Sequence, residues 1–228
     1  MSSSNFVAPT QEASHAAARA SAATLGAVIY TFGALLVLHF LRPEYDPVLR
    51  VISNYAVGPY GFLMTSAFFA IALSMLSLTF AIHKGVVPAG RSRAGLILLT
   101  AAGVGFLIVA IFPTDVTPDD SPTTTVGAIH ILASVTSLLL FILAALLLSR
   151  RFRKDSTWLS FRRTPLRLAL ACLAAFIAFF AIKAANLPIG GVGQRVLVIT
   201  VLLWLSVTGN HLRHVSLRSA KVVEQEAA

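Results

Sequence analysis

The sequence contains one cysteine, Cys172, set inside an apolar run, so neither an intrachain disulfide nor a cysteine-based metal site can form. Charge is scarce as well. Only 12% of the 228 residues are charged and 57% are hydrophobic, against roughly 25% charged in a soluble domain. With a mean hydropathy of +0.81, this balance excludes an ordinary water-soluble fold. The first twenty residues hold a single arginine and no adjoining apolar core, which is not the pattern of a secretory signal peptide. No Walker loop, Rossmann glycine pattern, HExxH or GxSxG motif is present, so nothing points to nucleotide binding, a zinc protease or a nucleophilic-elbow hydrolase.

What the chain has is apolar length. Six segments are long enough to cross a hydrocarbon core of roughly 30 Å: about 25–41, 61–82, 94–112, 126–148, 168–185 and 196–212. The expected fold is therefore an all-α, polytopic membrane bundle of six helices. Residues 1–20 are expected to be a disordered cytoplasmic tail, 21–214 the membrane domain, and 215–228 a cytoplasmic C-terminal tail. The fifth and sixth segments are joined by NLPIGGVGQR, which reads as a tight glycine-rich turn.

The formal charge of +9 does not imply nucleic acid, because the basic residues fall in short loops between apolar segments. With both termini placed in the cytoplasm, fourteen of the eighteen Lys and Arg residues lie on that side. The positive-inside rule then predicts a multi-pass protein of the cell membrane with cytoplasmic termini. Arg42, Arg50, Lys183 and Arg195 are the four exceptions.

Those exceptions draw attention to the opposite face. The stretch EYDPVLRVISNYAVGPYG, between the first two apolar segments, carries Asp46-Pro47 as a helix start and Gly58-Pro59 as a stop. Between them Val48, Val51, Ile52, Tyr55 and Ala56 recur at helical spacing, which predicts a short interfacial helix with Arg50, Ser53, Asn54 and Val57 on its other side. Asp46 has a plain structural role as N-cap, paired with Arg50 four residues on. Its alternative role is to join Arg50 and Asn54 in holding a polar or anionic ligand, the guanidinium supplying a forked donor. Arg42 and Glu44 read as interfacial anchors.

His130 lies about five residues into the fourth segment, followed by Ser134 and Ser137 on the same face. An ionisable side chain within a membrane helix is costly and usually faces the bundle interior or a wet cavity. It can serve merely as an interhelical hydrogen bond. Alternatively Asp115, in FPTD after the third segment, orients it for acid–base work, with Ser53 as a further catalytic candidate. Lys183 and Asn186 end the fifth segment at a similar depth and are candidate ligand contacts, although Lys183 can also snorkel to the surface. Asp119 and Asp120 read as helix-entry and turn residues. Only His39 and His130 lie toward this face, so a three-histidine zinc site is not available there and no metal or cofactor is expected.

Taken together, YDPVLRVISNYAVGPYGFL, FPTD and TVGAIH resemble the DUF998 family of integral membrane proteins. The shared pattern falls on Asp46, Pro47, Ile52, Ser53, Gly58 and Gly61, then Phe112, Pro113 and Asp115, then Gly127, Ile129 and His130. Asn54 departs from the acidic residue expected after the serine in relatives. The resemblance spans about residues 25–212 and implies Asp46, Ser53, Asp115 and His130 as the positions of interest. It implies no particular activity.

Three functions remain open from the sequence. The chain binds or carries a small polar, anionic or lipid ligand near the outer face; or it is a membrane-embedded enzyme acting on a lipid or lipid-linked substrate; or its polar groups merely cap and join helices. The bilayer is the one partner the sequence implies, and oligomerisation is left open.

Overall fold

The computed structural model describes residues 10–226. Six α-helices follow one another: α1 (Gln11–Leu41), α2 (Gly61–Gly85), α3 (Arg93–Ile111), α4 (Thr125–Arg151), α5 (Arg163–Ala184) and α6 (Gly190–Glu226). No strand occurs among the described residues, and all six helices are long and apolar enough to cross a membrane.

Several boundaries differ from the expected ones. Helix α1 begins at Gln11, inside the segment expected as a tail, and α6 runs on to Glu226 through the expected C-terminal tail. Hydropathy marks only the part of a helix that sits in hydrocarbon, whereas backbone hydrogen bonding continues into water when composition allows it. The stretch QEASHAAARASAA is alanine-rich, hence strongly helix-forming; Thr10 caps it by accepting from Ala13 N at 3.2 Å. The remainder of the expected tails, residues 1–9 and 227–228, lies outside the described residues. The glycine-rich turn is also shorter than expected, because α6 starts within it at Gly190. The interfacial helix is reduced to a five-residue 3-10 helix, Ile52–Ala56. Asp46 ends up capping a separate turn before it, where its carboxylate accepts from Val48 N at 2.8 Å.

The helices close into a ring in chain order, with α6 packed against α1 and also touching α2. Because lipid is as apolar as a leucine side chain, close approach of backbones decides which faces pair, and small residues permit it. Helix α1 accordingly buries Ser14, Ala17, Ala18, Ser21, Thr24, Ala27 and Thr31 at three- and four-residue spacing. At Gly85, near the end of α2, an added Cβ would lie 2.8 Å from Ala17 Cβ and 2.9 Å from Ser216 Oγ, so three helices meet there with no room to spare. Polar crosslinks reinforce the seams. Thr24 Oγ1 donates to Ser74 O at 3.3 Å, and the Tyr30 and Ser66 hydroxyls are 2.6 Å apart.

The two ends of the bundle are built differently. At the basic end the α2–α3 and α4–α5 connections are clamped by Asp155, a buried carboxylate that accepts from Val87 N at 3.1 Å and Thr157 N at 2.9 Å. Trp158 stacks on Phe152 there, and His211 lies 4.4 Å from the Trp158 ring. The connector end gathers residues 42–60, 112–124 and 185–189 over the helix ends, and every candidate residue named from the sequence lies there.

Candidate functional site

Local chemistry explains how the connector end is assembled. Arg42 is buried, pairs with Glu44, and donates through Nη1 to the carbonyls of Val57 and Pro59 at 2.8 Å each. That guanidinium holds the Glu44 carboxyl below the usual carboxylate range. It organises the turn through Gly58, whose φ of 81° is one that L side chains rarely adopt. Residues 47–50 then lie across the start of α6, with Val192 N donating to Val48 O at 3.3 Å. The packing is tight enough that a Cβ on Gly191 would sit 2.5 Å from the carbonyl oxygens of both Pro47 and Arg50.

His130 enters this assembly from α4. Helix α3 ends at Ile111, leaving the Phe112 carbonyl with no helical donor. His130 Nδ1 lies 2.7 Å from that oxygen. Since a carbonyl can only accept, Nδ1 carries the hydrogen, and in the neutral ring the lone pair lies on Nε2. The ring packs against Phe68, with centroids 5.7 Å apart. His130 is thus a latch between α4 and the end of α3. It also lines a cavity.

Asp115, by contrast, does not pair with His130. Its carboxylate accepts from Thr123 N and Thr124 N at 2.7 Å and from Thr124 Oγ1, while Thr124 itself caps α4 through Gly127 N at 3.0 Å. The Thr124 backbone N–H, chief among these donors, holds the Asp115 carboxyl below its ordinary value. Nearby donors eight and nine residues along the chain satisfy the carboxylate before the histidine comes into play. Asp46 and Arg50 likewise do not pair. Asp46 is exposed, and Arg50 Nη1 donates to Thr117 O at 2.8 Å, pinning the α3–α4 connector.

The cavity that His130 lines has a volume of about 180 Å³ and is shared by Ser53, Thr114, Ser134, Gln194, Asp120 and Lys183, with Val51, Ile131, Val135, Leu138, Phe179 and Phe180 as apolar wall. It therefore brings together three of the candidate residues, Ser53, His130 and Lys183. A second, wider cleft of about 460 Å³ lies beside it and is lined by Arg50, Asn186, Asp119, Pro188 and again Asp120 and Lys183. Lys183 Nζ donates to Asp119 O at 2.8 Å and pairs with Asp120 Oδ2 at 2.9 Å. Asn54, fully buried, donates to the other Asp120 oxygen at 3.3 Å, and its own Oδ1 has no partner among the described residues. The Asp120–Lys183 pair is the wall common to both spaces.

Asp120 is the residue that sequence reasoning missed. It adopts φ = 60° at the tip of the connector, which looks like simple turn chemistry. The signal that pointed to it was the lone Lys183 at the same depth as a connector with three aspartates and no base. Gln194 and Thr114 also enter the inner cavity; Gln194 Oε1 accepts from Ile52 N at 2.5 Å and so fixes the 3-10 segment to α6. Among the described residues, no group of three or more His, Cys, Asp or Glu side chains is placed to hold a metal ion.

Chemically, the inner cavity offers an imidazole, hydroxyls, an amide and one ion pair between otherwise apolar walls. Searches of curated proteins and of solved structures found no match. The sequence does match a family described as "Protein of unknown function (DUF998)" over residues 24–211, the span that contains α2 to α5 whole, more than half of α1 and α6, and every residue of both cavities. The chain is an integral membrane protein and belongs to the DUF998 family.

Proposed function

We propose that the inner cavity binds a small polar ligand, or the polar head of a lipid, admitted through the wider cleft from the outer side of the cell membrane. The carrying observation is that Ser53, His130, Gln194 and the Asp120–Lys183 pair line one cavity near a bundle end. A volume of about 180 Å³ is below the roughly 300–1,000 Å³ of pockets for drug-sized ligands, which limits the occupant to a few heavy atoms. Because Lys183 is already paired, an anionic group enters by competing with Asp120, and a zwitterion can satisfy both. Arg50 and Asn186 line the approach, while Asp46 and Asn54 shape the segment without touching the inner space. The same charge distribution that places fourteen basic residues at the other end supports cytoplasmic termini.

The test is a thermal-shift screen of purified protein against phosphate monoesters, small carboxylates and amino acids. The expected result is a stabilising compound whose effect is lost in Lys183→Gln and weakened in His130→Gln. No shift from any class, or shifts indifferent to both substitutions, overturns the binding reading.

One observation favours enzymatic use of the same cavity. The Phe112 carbonyl fixes His130 with Nε2 as a lone-pair acceptor, the form a general base needs, and Ser53 shares the enclosure. On that reading His130→Gln abolishes a lipid conversion while folded protein persists in the membrane. Unchanged total lipid profiles between deletion and wild-type cells count against it.

A further inference from the structure

A separate groove runs between α1 and α6 on the other side of the 51–53 segment, and its chemistry differs from that of the inner cavity. It holds about 350 Å³, and its walls, including Phe32, Leu36, Val198 and Leu202, are apolar apart from His39 and Arg195 at one end. Arg195 is hydrogen-bonded only to neutral acceptors. Nε donates to His39 Nε2 at 3.0 Å, Nη1 to Arg50 O at 2.7 Å and Gly191 O at 3.1 Å, and Nη2 to the Tyr55 hydroxyl at 3.4 Å. The two ion pairs among the described residues, Arg42–Glu44 and Lys183–Asp120, do not involve it. The exposed Asp46 carboxylate is its one acidic neighbour and makes no ion pair with it, so a half-buried guanidinium held this firmly keeps one Nη2 hydrogen and most of its charge for an anion, whose attraction the low local dielectric magnifies.

The position says which anion. Arg195 is five residues into α6, about 7.5 Å along the helix at a rise of about 1.5 Å per residue, which is the depth of lipid headgroups rather than of open water. From there the groove follows α6 to Leu202, about 10 Å toward the bundle middle by the same rise. An apolar slot leading away from a fixed cation matches an amphiphile that lies parallel to the helices. We propose that this groove is a binding site for an anionic phospholipid of the bilayer, one acyl chain lying between α1 and α6 and the phosphate against Arg195. Moving an acyl chain from the bilayer into an apolar groove exchanges one hydrocarbon environment for another. Selectivity must therefore come from the head, and the site discriminates by charge. His39 takes part indirectly: its Nδ1 donates to Leu35 O at 2.6 Å, so Nε2 is free to accept from Arg195 and hold the guanidinium edge in place.

The experiment uses full-length protein, delipidated in a maltoside micelle, and measures binding of phosphatidylglycerol and of phosphatidylcholine with identical chains by native mass spectrometry. Oleate is a third arm. The expected outcome is that phosphatidylglycerol binds at least about tenfold more tightly than phosphatidylcholine, the order of one charge-assisted contact. Arg195→Gln should bring that ratio close to one, with Arg195→Lys retaining part of it. Ile199, 41% exposed on the groove wall and one turn along α6 from Arg195, supplies the second variant: Ile199→Trp fills the slot while keeping the guanidinium charge and should weaken phosphatidylglycerol binding in protein of unchanged helicity. Equal affinity for the two phospholipids overturns the proposal, as does a charge preference that survives Arg195→Gln. Full binding in Ile199→Trp overturns it too, and Arg195-dependent binding of oleate alone assigns the groove to free fatty acids instead.

Discussion

Substituting Gly191 by alanine probes the point on which both the inner cavity and the groove depend. The added methyl would lie 2.5 Å from the carbonyl oxygens of Pro47 and Arg50 and 2.9 Å from that of Val48, about 0.9 Å short of ordinary contact at 3.4 Å in the first two cases. These are backbone atoms, so the relief cannot come from a rotamer change. If the Arg50 carbonyl retreats by that amount, its 2.7 Å bond from Arg195 stretches past hydrogen-bond range. The cost then combines overpacking, about 1–3 kcal/mol, with loss of one charge-assisted hydrogen bond, about 1.5–3 kcal/mol. A total near 4 kcal/mol corresponds to a drop in Tm of about 10 °C for a chain of this length, read by far-UV circular dichroism in detergent. Gly26→Ala is the matched control, since its Cβ meets nothing within 4 Å and helix propensity favours alanine by up to about 1 kcal/mol. A loss of less than about 3 °C in Gly191→Ala would refute the close approach of residues 47–50 to α6.

Three further outcomes are expected. Asp155→Ala orphans the buried Val87 N–H and should lower stability by about 2–3 kcal/mol in detergent melts, with Asp155→Asn recovering roughly half; equal melts for all three proteins would remove Asp155 as the clamp of the basic end. Asp115 has a carboxyl held below its ordinary value by the Thr124 N–H, so its contribution is complete above the unfolded carboxylate range and is lost as pH falls through the lower, folded value. Hydrogen exchange at Gly127 and Ala128 should therefore stay slow through mild acid and accelerate only below that range, and Asp115→Asn should abolish the transition. In a Cys172→Ser background, Asp119→Cys should react with a membrane-impermeant maleimide on intact cells and Lys154→Cys only after permeabilisation; the reverse pattern would invert the orientation.

The six spans were legible because the bilayer imposes a length of apolar sequence on any crossing helix, a requirement that no tertiary contact can override. Helix ends were less so. The start of α1 at Gln11 depends on alanine propensity and on packing of Ala17 against Gly85, neither of which hydropathy registers. At the connector end, residue types and depth could be read in order along the chain: Ser53, His130 and Lys183 do line one cavity. Their partners could not. Asp115 suits His130 by chemistry, yet it is taken by Thr123 and Thr124, because the connector brings its own N–H groups within reach first. Asp120 reads as a turn residue in the sequence and is the partner of Lys183, a pairing across sixty-three positions that depends on how α5 sits beside the connector.

The pairing of the first helix with the last also sets a clock. Gly209 of α6 packs on Thr24 and Ser21 of α1, 185 and 188 residues away in the chain. At synthesis rates of about 5–20 residues per second, α1 waits roughly 10–40 s in the membrane with that side uncovered. Gln194 and Arg195 arrive in the same final segment, so neither the inner cavity nor the groove exists until it does. For that interval the small-residue face of α1 is open to any other helix nearby, and the chain is then most vulnerable to mispairing and to quality-control proteases.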